Sequence, residues 1–248
     1  MKDIVPAALF RTNVIENNGG IHPNALEYQA LTDVNVYDSS KCLRLATQAK
    51  TGRHLRIPSV NVTAVPQATE IRLCEDGYHG WLSAEDLNNL KTTEEHYQAA
   101  KLPESEIRAR ISDVLEFAHL AIAQPNRYLW GGTLGPHYDC SGFMQAAFAS
   151  VGIWIPRDAY QQEAFSHPIR ICELEPGDLL FFGSERRATH VGLCIRSSEY
   201  MHSSGRDHGR DGIGIDQLSL PRDKTSQWLF DKLRCAGRIT ENFRPKEA

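Results

Sequence analysis

The hydrophobic period of the chain changes near residue 105, and no other feature of the sequence constrains its fold as strongly. Up to about residue 97, apolar residues come in short β-type runs at 30–37, 43–45 and 70–73. Gly19-Gly20, Asp38-Ser39-Ser40, Thr51-Gly52 and Asp76-Gly77 supply turns between them. Short strands at close spacing predict a small β-barrel rather than βαβ units. Residues 98–106 read as a linker running into a helix. Ile107, Ile111, Val114, Leu115, Ala118 and Ile122 then recur at helical spacing, with Ser105 as the expected N-cap and Pro125 as the stop. Asp139 precedes a second helix-forming stretch, Cys140 to Ala149, with Gly152 placed to cap its end. Strand-like runs follow at 178–182, 190–195, 199–203, 212–215 and 233–239. Helices first and strands afterwards predict an α+β domain with an antiparallel sheet. The expected divisions are a β-barrel over 1–97, with no assignment for 1–25, a linker over 98–106, the α+β domain over 107–241 and a polar tail over 242–248.

A chain of 248 residues can bury a core without disulfide staples. It carries 27 basic and 31 acidic side chains, and the resulting net charge of −4 argues against a nucleic-acid coating protein. The 41% hydrophobic and 23% charged fractions exclude disorder and collagen-like repeats. No apolar run approaches the roughly 18 residues of a membrane span. At the N-terminus, Asp3, Pro6 and Arg11 interrupt the only apolar stretch, so no secretory leader is expected there and the cytoplasm is the expected location. The cysteines at 42, 74, 140, 172, 194 and 235 contain no Cys-x-x-Cys pair, and in a reducing compartment most are expected to be buried, inert thiols.

Cys140 stands apart, because it would occupy the first turn of its helix directly after a capping Asp139. The helix dipole and the unpaired amides there favour a thiolate, which predicts a lowered thiol pKa. A thiol nucleophile needs a base. His190 opens a strand 50 residues on, and His202 follows 12 residues later. Residues 195–199 can turn a hairpin that sets the two histidines on neighbouring strands, where one imidazole can orient the other. Cys, His and a third orienting group make a thiol-hydrolase arrangement. Metal binding by Cys140, His190 and His202 is the rival reading, weakened by the lack of a close-spaced ligand pair.

Four blocks in order resemble the NlpC-type cell-wall peptidases: Tyr128-Leu129-Trp130-Gly131-Gly132, Asp139-Cys140-Ser141-Gly142-Phe143, Pro176-Gly177-Asp178-Leu179-Leu180-Phe181-Phe182 and Thr189-His190-Val191-Gly192. The resemblance spans about residues 107–240. It implies a papain-like cysteine peptidase acting on peptidoglycan stem peptides, with Cys140 as nucleophile, His190 as base and His202 as the residue that orients it. It also implies that Tyr128 lies beside the thiol and helps bind the oxyanion. Cys74-Glu75-Asp76-Gly77-Tyr78-His79-Gly80-Trp81-Leu82 looks like the end of a bacterial SH3-like domain. The pairing resembles the cyanobacterial γ-D-glutamyl-L-diamino acid endopeptidases, which trim free murein peptides beginning with L-Ala.

That resemblance implies hydrolysis of the amide between D-Glu and a diamino acid such as diaminopimelate, in murein peptide recycling, with no metal or organic cofactor; a monomer with no nucleic-acid or membrane partner is the expected state. A free L-Ala ammonium requires carboxylates or hydroxyls. The candidates are Glu75, Asp76 and Tyr78 at a domain interface, with Asp139 and Ser141 flanking the nucleophile. As alternatives, Glu75 and Asp76 read as a solvated turn and Asp139 as a cap alone. Arg157 either clamps a substrate carboxylate or pairs with Asp158. A thiol acyltransferase and a non-catalytic muropeptide-binding protein are the competing functions.

Overall fold

The computed structural model describes residues 27–58, 67–93, 95–218 and 223–245. The reading of Met1 to Arg11 as lacking a leader lies outside the described residues. Two units divide the chain between Gln98 and Ala99, and Arg244 and Pro245 belong to the first.

The first unit is an antiparallel sheet of seven short strands: β1 (Glu27–Ala30), β2 (Val34–Tyr37), β3 (Leu45–Ala49), β4 (His54–Arg56), β5 (Ala68–Leu73), β6 (His79–Ser83) and β7 (Leu90–Thr92). Their order is β3-β2-β6-β5-β4-β1-β7. The expected run 30–37 is two strands, β1 and β2, with the turn between them. The expected strand at Leu43 begins only at Leu45, because Cys42 takes a positive φ of 50° and leaves Leu43 exposed. Alternation explains the rest: in β5, Thr69, Ile71 and Leu73 point inward and Glu70 and Arg72 outward. Tyr28, Val34, Val36, Leu55, Ile71, Leu73, Leu82 and Leu90 close the core.

The second unit is α+β, as read from the sequence. Its sheet is antiparallel and has the order β10-β15-β11-β12-β13-β14. Those strands are β10 (His167–Ile169), β11 (Leu179–Gly183), β12 (Ala188–Arg196), β13 (Glu199–Ser204), β14 (Gly212–Gln217) and β15 (Leu233–Arg238), and a small hairpin adds β8 (Thr133–Leu134) and β9 (His137–Tyr138). The helices are α1 (Glu104–Ile122), α2 (Cys140–Ala149), α3 (Ala159–Phe165) and α4 (Lys224–Lys232). The N-cap of α1 is Pro103 instead of Ser105, two residues earlier than expected. Ile107, Val114, Ala118 and Ala121 of α1 pack with Phe143, Met144, Ala147 and Phe148 of α2 and with Leu193 and Met201 of the sheet. The expected polar tail is anchored at its start. The Asn242 side chain accepts from the Trp154 amide at 2.6 Å and donates to the Ala100 carbonyl at 2.8 Å, while Phe243 meets Phe165 edge-on. All six cysteines are free; Cys140 and Cys194 are buried, but Cys172 is exposed, contrary to the reading of mostly buried thiols. No helix among the described residues is long and apolar enough to cross a membrane.

Candidate active site

Three glycines and one carboxylate fix the start of α2. Asp139 is the N-cap, with Oδ1 accepting from the Gly142 amide at 2.6 Å. Its Oδ2 accepts from the Gly131 amide at 2.9 Å, and its own amide donates to the Gly132 carbonyl at 3.1 Å. A Cβ on Gly142 would lie 2.0 Å from that carbonyl oxygen, so only glycine lets the first turn of α2 dock on the Gly131-Gly132 segment. The two sequence blocks are thus halves of one clamp.

Arg157 completes the clamp from beneath. Its guanidinium is 2% exposed and donates to Asp139 Oδ2 at 2.6 Å, to Asp139 Oδ1 at 3.1 Å and to the Ser141 hydroxyl at 3.0 Å. The Asp139 contact is one that neither reading of Arg157 named. Its partner is Asp139, while Asp158 caps α3, its amide donating to the Gln161 side chain. With its fork buried on Asp139 and Ser141, the guanidinium offers no face to a substrate carboxylate. Asp139 in turn accepts from Gly131, Gly142, Ser141 and Arg157, which leaves no lone-pair direction for an ammonium.

The Cys140 sulfur accepts from the amides of Ser141 and Val191, and so sits against β12 beside His190. Burial foremost, and then the Asp139 charge, push the thiol up to about 12, against the pull of Arg157 and the two amides. The expected lowering at a helix start is therefore reversed, because the same carboxylate that caps the helix repels a thiolate. His190 is buried, and burial, followed by the nearby His202, His208 and Arg210, holds it well below 6.5. Burial opposes charge on the thiol and on the imidazole alike.

The expected hairpin places the two histidines together. His190 Nε2 lies 2.9 Å from His202 Nδ1, their rings edge-on at 4.9 Å. They spend facing nitrogens on each other rather than on a shared ion. Among the described residues no group of three or more His, Cys, Asp or Glu could hold a metal. His202 Nε2 lies 2.7 Å from Asp216 Oδ2 on β14. Sequence reasoning missed Asp216. The one available signal is the strand pattern: His202 pairs with Gly214, and Asp216 stands two positions on along the neighbouring strand.

Tyr128 is held by its amide, which donates to Asp211 Oδ1, and its ring lies against Gly205. Burial pushes its phenol well above 10, and the charges of Cys140 and Asp139 add to that shift, so the hydroxyl stays a proton donor near the sulfur. The stretch 205–212, expected to be a mobile loop, is pinned. Arg206 pairs with Asp211 at 2.8 Å, Arg210 reaches Asp216, and His208 stacks on Trp228 at 4.1 Å. In the first unit, Glu75 and Asp76 are 4% and 7% exposed, not a solvated turn. Arg53 bridges them at 3.1 and 3.0 Å, and Asp76 also accepts from the Tyr78 amide.

Residues 125–229, which hold Cys140, His190, His202 and Asp216, match the NlpC/P60 family. This segment is an NlpC/P60 domain. Residues 36–87 match the bacterial dipeptidyl-peptidase Sh3 domain. A gamma-D-glutamyl-L-lysine dipeptidyl-peptidase of Bacillus subtilis is 32% identical over 144 residues, 57% of this chain and 45% of that protein. The murein DD-endopeptidase MepS/murein LD-carboxypeptidase of Escherichia coli K12 is 31% identical over 96 residues, 38% of this chain and 49% of that protein. The chain spans less than half the length of each. A crystal structure of an NlpC/P60 family protein from Bacillus cereus superposes with a TM-score of 0.47 at 20% identity, covering 92% of this chain and 66% of that one.

The buried imidazoles give the NlpC/P60 domain a pH signature. His190 and His202 are both held below 6.5, chiefly by burial. Below pH 6.5 the unfolded chain takes up protons that the native state refuses, so stability falls as pH falls. Asp216 has a lowered pKa and contributes only once pH drops through the carboxylate range. Denaturant titrations from pH 7 to pH 5 are expected to lose roughly 2–3 kcal/mol per pH unit at most, about half of it removed in a His190→Gln protein. Equal slopes in the two proteins would refute the assignment.

Proposed function

We propose that the chain is a cysteine endopeptidase that hydrolyses the γ-D-glutamyl–L-diamino acid bond of free murein stem peptides carrying an N-terminal L-Ala. The observation that carries this reading is the buried Cys140 at a helix start, its sulfur on the Val191 amide of the strand that carries His190, whose ring is braced by His202. The similarity to a gamma-D-glutamyl-L-lysine dipeptidyl-peptidase supports the bond. Glu75 and Asp76 supply carboxylates, the groups that an α-ammonium requires. Removal of short peptides in this way suits recycling in the cytoplasm.

Because burial opposes charge on thiol and imidazole alike, proton transfer accompanies attack. His190 takes the Cys140 proton on Nδ1, the nitrogen not used toward His202, as the sulfur bonds the γ-carbonyl carbon. The Tyr128 hydroxyl and the amides at the start of α2 stabilise the oxyanion. The C–N bond breaks as His190 returns the proton to the leaving amine, giving a thioester. Water then attacks the thioester carbonyl and gives its proton to His190, and the thiol is restored as L-Ala-D-Glu departs. No cofactor enters these steps.

Mass spectrometry of purified protein with L-Ala-γ-D-Glu-meso-diaminopimelate, beside the same peptide N-acetylated, tests the reading. Release of L-Ala-D-Glu from the free peptide alone is expected. Cleavage of both peptides would remove the ammonium requirement. Cleavage of neither, or acyl transfer to an added amine in preference to water, would overturn the hydrolase.

A further inference from the structure

Beyond His202 the relay continues to a carboxylate and a guanidinium that no family resemblance called for. Asp216 Oδ2 meets His202 Nε2 at 2.7 Å. Arg210 spans both oxygens of Asp216, with Nη1 at 3.0 Å from Oδ2 and Nη2 at 3.1 Å from Oδ1, and Nη2 also reaches Asp223 at 3.2 Å. A glycine makes the room: Gly214 pairs with His202 across the strands, and a Cβ there would lie 2.1 Å from Arg210 Nη1.

The donor and acceptor inventory of these groups has one solution. Arg210 only donates and Asp216, ionised, only accepts. Arg210 Nη1 lies 3.2 Å from His202 Nε2, but two donors cannot bond each other, so Nε2–H is given to Asp216. A neutral His202 then presents a bare Nδ1, which accepts from His190 Nε2–H. His190 is left with a bare Nδ1, the form that can take a proton from the thiol. The proton placement on a base two hydrogen bonds away is thus decided at Asp216. Were His202 to carry protons on both nitrogens, Nδ1–H would face His190 Nε2 and force the other tautomer, which cannot act as base.

We propose that Asp216 and Arg210 are a positioning pair for the NlpC/P60 relay: Asp216 dictates where the proton sits on both histidines, and Arg210 offsets its charge so that the histidine pair stays neutral. The groups facing the pair are Asp216 on β14, Arg210 and His208 from the 205–212 segment, Asp223 ahead of α4, and Tyr200 on the same strand as His202. Arg210 is the nearest cation among them. The inference rests on the proposed peptidase reading for its kinetic arm only.

The first readout needs no substrate. Ring 15N spectra of the full chain are expected to give both His190 and His202 as Nε2–H tautomers. Asp216→Asn, whose amide can donate to Nε2, is expected to convert a large fraction of both rings to Nδ1–H and to lower kcat by about 10²- to 10⁴-fold with little change in KM. Asp216→Glu is expected to restore part of kcat. Arg210→Met and Gly214→Ala, which expels the guanidinium, are both expected to move the acid limb of kcat/KM upward by about one pH unit, whereas Arg210→Lys leaves it in place. These variants keep the His202–Asp216 bond, so they decide the matter should Asp216→Asn be unstable. Unchanged tautomers in Asp216→Asn, or an unmoved acid limb in both Arg210→Met and Gly214→Ala, would overturn the proposal. A wild-type protein that cleaves no stem peptide but shows the expected tautomers would refute the substrate reading alone.

Discussion

A Cys140→Ala protein is expected to lose stem-peptide cleavage by about 10⁴-fold or more while keeping its fold and its affinity for the peptide. The size follows from the role: without the sulfur no thioester forms, and His190 and Tyr128 have only water to activate. The fold survives because Cys140 is a small side chain whose sulfur accepts two amide hydrogen bonds and donates none to the clamp beneath it. Truncation there costs about 1 kcal/mol. Turnover by mass spectrometry and binding by calorimetry check the two halves separately. Residual cleavage within tenfold of wild type would refute Cys140 as nucleophile, and lost binding would mean that the sulfur also holds substrate.

Arg157→Ala is expected to be the most damaging single change to stability. It removes a cation that is 2% exposed from an Asp139 carboxylate that is itself buried. Breaking a buried pair from one side costs about 3–5 kcal/mol, because the remaining charge has lost its partner. The melting temperature of the unit would fall by roughly 10 °C. Adding Asp139→Asn to an Arg157→Met protein is expected to recover part of this, since no charge is then left buried. Denaturant midpoints of the single and double variants supply the cycle. A double variant no better than the sum of its singles would place the loss in packing rather than charge.

What the sequence disclosed about this protein is what short-range physics determines. Asp139 as cap, Cys140 in the first turn and the hairpin that sets His190 beside His202 depend on residues within a few positions of each other, and the structure has them where expected. The fold class was equally legible, because the switch from period 2 to period 3.6 is carried by many residues at once. The misses share a different cause. Arg157 reaches Asp139, 18 residues back, a contact that no reading of its sequence neighbours points to. Asp216 and Arg210 become visible only once the register of β13 and β14 is known. The thiol pKa went the other way for a reason no helix-dipole argument contains: burial and a carboxylate partner are properties of the packed site. The short helices α3 and α4 were missed because segments of 7 and 9 residues carry too few periodic positions to stand out.

The clamp of Asp139, Arg157, Gly131 and Gly142 makes no use of what residue 140 can do chemically. Architecture and reactivity in this protein are therefore separable by a single codon. A lineage that lost the sulfur would inherit the start of α2 unchanged, with nothing else to rebuild.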